Sequence, residues 1–156
     1  MHIVNMTTEY AQQISRWKYV GIYSLYNHDE GNIAGYMDDA HFACVDVNNE
    51  LIGYFCYGND AQIPTIEENV YDDNFLDIGL GLRPDLCGKG HGLTFLLKGM
   101  DYAKMLYNTT NLRLTVATFN ERAMKLYTKA GFHIDREVTN SYSKNKFVIM
   151  YTNVVR

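Results

Sequence analysis

The stretch "RPDLCGKGHGLTFLL" runs from residue 83 to 97 and sets glycine at every second position, Gly88, Gly90 and Gly92, just before an apolar periodic run. Glycine costs helix stability and backbone entropy, so a cluster where a helix begins needs a reason. Anion binding supplies one. Bare amides at a helix N-terminus attract phosphate, and residues without a β-carbon let it come close. Lys89 and Arg83 flank the turn, where each could add charge to a phosphate or simply be solvated. His91 reads as a turn residue. Cys87 stands at the mouth of the turn, but no histidine–acid pattern accompanies it to make a covalent nucleophile.

Two stricter phosphate motifs fit poorly. A P-loop requires GxxxxGK followed by Ser or Thr, whereas Lys89 precedes Gly90. A dinucleotide fingerprint requires GxGxxG after a first strand, and the spacing here is GxGxG at mid-chain. His2, His28, His41 and His133 show no metal-ligand spacing, so no metal is expected.

The elements that must carry this turn are legible from periodicity. "TTEYAQQISRW" (7–17) has a threonine cap and helix-forming composition, and "YVGIYSLYN" after it is ambiguous between helix and loop. "HFACVDVNNELIGYFCYG" (41–58) reads as a β-hairpin whose Asn pair tolerates the turn's backbone angles. "NFLDIGLGL" (74–82) reads as a strand whose glycines imply a bulge or a close backbone approach, ended by Pro84. A long helix is predicted from about 89 to 107, with Leu93, Leu96, Leu97, Met100, Ala103 and Leu106 as its buried face. "LRLTVAT" (112–118) alternates as a strand, and Asn120 can cap a second helix closed by Gly131. "FHIDREV" and "NKFVIMYTNVV" read as a closing antiparallel pair. The sum is one mixed α/β (α+β) domain over residues 1–156, helix-rich at its start, with a mostly antiparallel central sheet flanked by helices.

Composition narrows the class. The chain has 156 residues, 47% hydrophobic and 21% charged, which suits one globular domain with a proper core. A net charge of −4 without a basic run argues against a nucleic-acid partner. "NDAQIPTIEENVYDDNFLD" (59–77) holds acidic residues and no Lys or Arg, and is either a solvated loop or, with Asp29, Glu30, Asp38 and Asp39, a rim that attracts cations. Three cysteines without CxxC spacing fit a reducing, cytoplasmic setting. No apolar run is long enough to span a membrane, and "MHIVNMTTEY" lacks a signal pattern. Among 13 tyrosines, Tyr23 and Tyr26 could wall an acceptor groove, or the segment could serve core packing or a dimer contact.

The glycine turn resembles the motif of the GNAT superfamily of acyl-CoA-dependent N-acyltransferases. That motif is Arg or Gln, two residues, Gly, one residue, then Gly or Ala, between a strand and a helix; here it falls on Cys87 to Gly92, with Cys87 where Arg or Gln is usual. A second block, "LTVATFNERAMKLYTKAGFH" (114–133), resembles the family's later strand–helix unit, with Asn120, Tyr127, Gly131 and Phe132 at the marked places. The detailed resemblance covers about residues 74–133 and leaves residues 1–40 unmatched.

The resemblance implies a GNAT-like fold and acetyl transfer from acetyl-CoA, as co-substrate, to an amine that attacks directly. Amides from Gly88 through Lys89, Gly90, His91 and Gly92 to Leu93 would hold the pyrophosphate, with Cys87 at the flank. The main chain of Leu80, Gly81 and Leu82 would line the pantetheine, and Asn120 would bond it as well as cap its helix. Tyr127 would protonate the leaving sulfur, whose thiol has a free pKa of about 8.5, since a phenol keeps its proton at neutral pH. Packing of Tyr127 beside Leu126 is the alternative. Asp77 is the candidate base, although a free Asp pKa of about 3.9 would have to be raised by burial. A water chain or an amine arriving neutral is the alternative. The acceptor is a small cationic or peptide amine, and the protein a monomer or homodimer. A GNAT-fold module that binds acyl-CoA without catalysis is the competing reading, against which an intact Tyr127 argues.

Overall fold

The structure is a computed structural model, described here over residues 1–27 and 30–152. His28 and Asp29 therefore lie outside the described residues, as do positions 153–156.

The chain opens in a strand, β1 (His2–Asn5), and not directly in the expected helix. Four residues are too short for periodicity to reveal, and their identity as strand comes from pairing with β2 (His41–Val45) far along the chain. Thr7 then caps α1 (Thr8–Ser15), its hydroxyl accepting the Tyr10 amide at 3.1 Å. The ambiguous segment after it forms a 3-10 turn at Gly21–Tyr26. The hairpin of β2 and β3 (Leu51–Tyr57) forms as expected, with Asn49 at φ +60° in its turn.

Six adjacent pairs assemble one sheet in the order β1-β2-β3-β4-β5-β7-β6. Its remaining strands are β4 (Leu76–Leu82), β5 (Leu112–Ala117), β6 (His133–Thr139) and β7 (Lys146–Tyr151). Every neighbour is antiparallel except β4 and β5, which run parallel. Two helices, α2 (Gly92–Tyr107) and α3 (Glu121–Lys129), follow β4 and β5 and pack on the main core. A second cluster, built on Ala11, Ile14, Tyr36, Ala43 and Leu51, holds α1.

Helix α2 starts three residues later than the periodicity implied. Gly88 and Gly90 have φ of +72° and +87°, incompatible with a right-handed helix, so they form the turn and Gly92 begins the helix. Its buried face is Phe95, Leu96, Gly99 and Ala103, while Leu97 and Leu106 are exposed. The stripe turns toward Phe95 because its ring stacks on Phe55 at 4.4 Å, and a Cβ on Gly99 would stand 2.3 Å from that same Phe55 ring. Among the described residues no helix is long and apolar enough to cross a membrane.

Candidate active site

The only two register pairs between β4 and β5 are Leu76–Leu112 and Asp77–Arg113. Beyond them the strands part: β4 goes on beside β3 alone and β5 beside β7. The facing edges of residues 78–82 and 114–117 are left without a ladder partner across the gap. Unpaired backbone amides and carbonyls are strong hydrogen-bonding groups that seek a partner. This parted edge contains the expected Leu80, Gly81 and Leu82. The Leu82 carbonyl accepts a hydrogen bond from the Tyr19 hydroxyl at 2.8 Å.

The glycines of β4 have a steric purpose. Gly79 pairs with Cys56 and Gly81 with Tyr54. A Cβ at Gly81 would lie 2.2 Å from the Tyr54 ring, and one at Gly79 would lie 2.6 Å from Cys56 Sγ. Both β3 side chains thus lie flat across β4 and bring Tyr54 to the parted edge.

Asp77 closes the lower end of the gap. Arg113 Nε donates to its Oδ1 and Nη2 to its Oδ2, both at 2.7 Å, and Gln62 Nε2 donates to Oδ2 at 2.8 Å. Both residues are buried, at 2% and 0% exposure. A carboxylate bound on both oxygens by a guanidinium is committed to its ion pair. The geometry therefore makes Asp77 a clasp between strands and does not suit the base expected there. The acidic segment around it is likewise partly structural: Glu67 accepts the Thr139 amide at 2.8 Å, and Asp72 contacts Arg113 at 3.4 Å.

At the glycine turn, the first turn of α2 has no acidic residue and His91 makes no capping bond through its side chain. The amides of Gly92, Leu93 and Thr94 consequently keep the partial positive charge of a helix start. A Cβ on Gly90 would meet nothing within 4 Å, whereas one on Gly88 would meet the Arg122 guanidinium at 3.1 Å. Arg122, in the first turn of α3, is a charge beside the turn that sequence reading missed, because it lies 34 positions along the chain. Gly92 packs against Leu126, which a Cβ would approach to 2.8 Å, so the same glycine run also docks α2 on α3. These features fit a bound pyrophosphate. Arg83 is engaged elsewhere, with Asp85 at 2.6 Å and the Leu51 carbonyl at 2.8 Å. Lys89 is exposed. Burial pushes the Cys87 thiol up, which keeps it neutral and unreactive.

Asn120 divides its amide between two tasks. Its Oδ1 accepts the Ala123 amide at 3.1 Å as the α3 cap, and its Nδ2 donates to the Tyr26 hydroxyl at 3.1 Å. Tyr23 and Tyr26 both pack on Phe119, and Arg122 sits 4.4 Å over the Tyr23 ring. These two tyrosines therefore cover the β5–α3 junction. Tyr127 packs beside Phe132 with ring centroids 6.1 Å apart. Among the described residues its hydroxyl has no hydrogen-bond partner. Burial raises its pKa, so it keeps its proton throughout the neutral range.

A cavity of about 510 Å³ opens beside Tyr54, lined also by Asn32, Tyr36, His41, Cys56 and Asp60. His41, Asp60 and Asp38 bring their nitrogen or oxygen atoms within 4.8 Å of one another. Asp38 and His41 are only three positions apart, and it is Asp60, in the turn after β3, that folding brings to them.

The family model of the acetyltransferase (GNAT) family matches residues 8–132. The spermidine N(1)-acetyltransferase of Escherichia coli (strain K12) is 27% identical over 101 residues, covering 65% of this chain and 53% of that protein. The chain thus spans about half the length of the curated relatives it matches. Among solved structures, a spermidine N-acetyltransferase chimaera from Vibrio cholerae superposes with a TM-score of 0.69 at 18% identity, covering 97% of this chain and 94% of that one. A GNAT-family acetyltransferase from Bacillus anthracis gives 0.71 at 10% identity, over 96% and 92%. At such identities these two speak for the fold.

Proposed function

The chain belongs to the GNAT acetyltransferase family, and on that premise we propose that it transfers the acetyl group of acetyl-CoA to a cationic amine, of the polyamine kind that the similar spermidine acetyltransferases act on. The observation that carries this reading is the parted β4 edge, with Tyr54 laid across Gly81.

Acetyl-CoA supplies an activated thioester. The chain's own contribution is positional and electrostatic. The α2 amides from Gly92 to Thr94 and the Arg122 guanidinium hold the diphosphate charge. Backbone groups of Leu80 to Leu82 take up the amide-rich arm as an added strand would. Tyr127 gives its proton to the departing sulfur, which otherwise leaves as a thiolate. Asn120 anchors the start of α3 and so fixes where Tyr127 stands. Asp38 and Asp60 give the neighbouring cavity its preference for a positive charge.

Calorimetric titration with acetyl-CoA, against ATP as control, tests the cradle, and thiol release with spermidine tests the transfer. Binding of acetyl-CoA but not ATP, followed by amine-dependent thiol release, is the expected result. Absence of binding at near-millimolar acetyl-CoA would overturn it, and binding without thiol release from a panel of amines would leave a non-catalytic acyl-CoA module.

A further inference from the structure

Resting on the acetyl-transfer reading, we propose that His41, oriented by Asp38, is the base that takes the proton from the acceptor's ammonium group in the cavity beside Tyr54. A primary amine has a free pKa of about 10.4 and arrives protonated near neutrality, so direct attack requires a base. The carboxylate expected in that role, Asp77, is bound on both oxygens.

His41 begins β2 and is 7% exposed. Its Nδ1 lies 2.8 Å from Asp38 Oδ1 and 3.7 Å from Asp60 Oδ2. A carboxylate facing Nδ1 fixes the neutral ring as the Nδ1–H tautomer and leaves the lone pair on Nε2. Nε2 has no hydrogen-bond partner among the described residues, and His41 is part of the cavity wall. The ring is held by Tyr36 edge-on, centroids 5.7 Å apart at 84°, and by Tyr54 stacked at 6.4 Å and 29°. The carboxylate is itself fixed, because the Ala40 amide donates to the same Asp38 Oδ1 at 2.9 Å. A nine-tenths buried imidazole in a cavity wall, with one nitrogen oriented by a carboxylate and the other without a partner among the described residues, is the arrangement of a general base.

The groups that face this ring differ in charge. Burial works to raise Asp38, yet hydrogen bonds from Asp60, His41 and the Ala40 amide outweigh it and hold the carboxyl at about 2, so Asp38 is the ionised member. The Asp60 carboxyl is raised by its hydrogen bond to Asp38. On β3, burial raises the Tyr54 phenol and pushes the Cys56 thiol up to about 12, and burial raises Tyr36 as well, so all three are neutral. Carboxylate charge therefore faces the ring on its Nδ1 side. Tyr54 connects this base to the parted edge, since it stacks on His41 and covers Gly81.

In the step, His41 Nε2 takes one proton from the ammonium, and the nitrogen lone pair attacks the thioester carbonyl. The C–N bond forms and the C–S bond breaks. The sulfur leaves with the Tyr127 proton, the nitrogen's surplus proton passes to the Tyr127 oxygen, and the proton on His41 goes to solvent. One proton is released per amide formed.

The test combines tautomer assignment with pH-dependent kinetics. In the full chain, nitrogen NMR of labelled histidine should place the neutral His41 proton on Nδ1, a readout that needs no acceptor. With acetyl-CoA and spermidine, His41→Gln should lower kcat/KM at neutral pH by about 100-fold, flatten the acid limb of the pH profile and leave acetyl-CoA affinity within about twofold. Added imidazole should restore part of the rate. Asp38→Asn, the positioning variant, should cost about tenfold and weaken the acid limb. A proton on Nε2, or a His41→Gln loss equal at every pH and unmoved by imidazole, would overturn the assignment. Wild-type protein that binds acetyl-CoA but releases no thiol with spermidine, spermine or a lysine peptide would instead overturn the transfer reading beneath it. Should His41→Gln not fold, the tautomer and Asp38→Asn decide.

Discussion

Two ends of the same strand pair differ in kind. At Asp77 and Arg113 the parallel ladder is closed, buried and fully bonded, with Tyr71 5.1 Å from the guanidinium as further packing. A few residues on, from Gly79 to Leu82, the strands have parted and their edges lack partners across the gap. The first end turns its polar groups on each other, and the second has no strand partner across the gap, with the Leu82 carbonyl taken by the Tyr19 hydroxyl. A single carboxylate can serve in a clasp or in a proton transfer, and its partners decide which. Asp77 has a guanidinium on both oxygens, whereas Asp38 holds an imidazole whose other nitrogen has no hydrogen-bond partner among the described residues. The clasp and the parted edge are separated along β4 by about 10–15 Å of chain at the usual strand rise.

That separation can be broken most severely at the clasp. Arg113→Ala leaves the Asp77 carboxylate buried and uncompensated, and denaturant unfolding should show a loss of about 3–5 kcal/mol. An equally stable variant would mean that Asp77 is not confined as described. Gly81→Ala acts at the open end. With a Cβ 2.2 Å from the Tyr54 ring, it should displace that ring, cost about 1–3 kcal/mol in unfolding and reduce turnover disproportionately. Asn120→Ala removes the α3 cap and should cost about 1 kcal/mol, with a lower kcat as Tyr127 loses its anchor. The smallest effect is expected for Arg122→Ala, which leaves a solvent-facing turn intact. Calorimetry should show acetyl-CoA binding weakened about three- to tenfold, equivalent to about 1 kcal/mol, with thermal stability nearly unchanged.

Much of this was written locally in the chain. Thr7, Asn120 and the Gly88–Gly92 turn announce helix starts through their own backbone chemistry, and each acts where its residue type implies. The hairpin and the closing strand pair follow from alternation and a tolerant turn. What could not be read depends on distant partners. Strand β1 exists because β2 offers it an edge. The glycines of "IGLGL" implied close approach, but not that Tyr54 and Cys56 are what approaches. Asp77 owes its confinement to Arg113, 36 positions along the chain, whereas Asp38 meets His41 only three positions away. Tyr23 and Tyr26 had the composition of an acceptor wall, yet Phe119 and Arg122 draw them to the α3 junction.

The central claim is that the parted end carries out acetyl transfer with Tyr127 as the proton donor. The most direct measurement compares wild type with Tyr127→Phe in steady-state thiol release from acetyl-CoA with spermidine, alongside calorimetric affinity for acetyl-CoA. Losing one hydroxyl that has no hydrogen-bond partner among the described residues should leave folding and affinity intact while kcat falls by about 100-fold or more. Equal kcat in the two proteins would contradict the account.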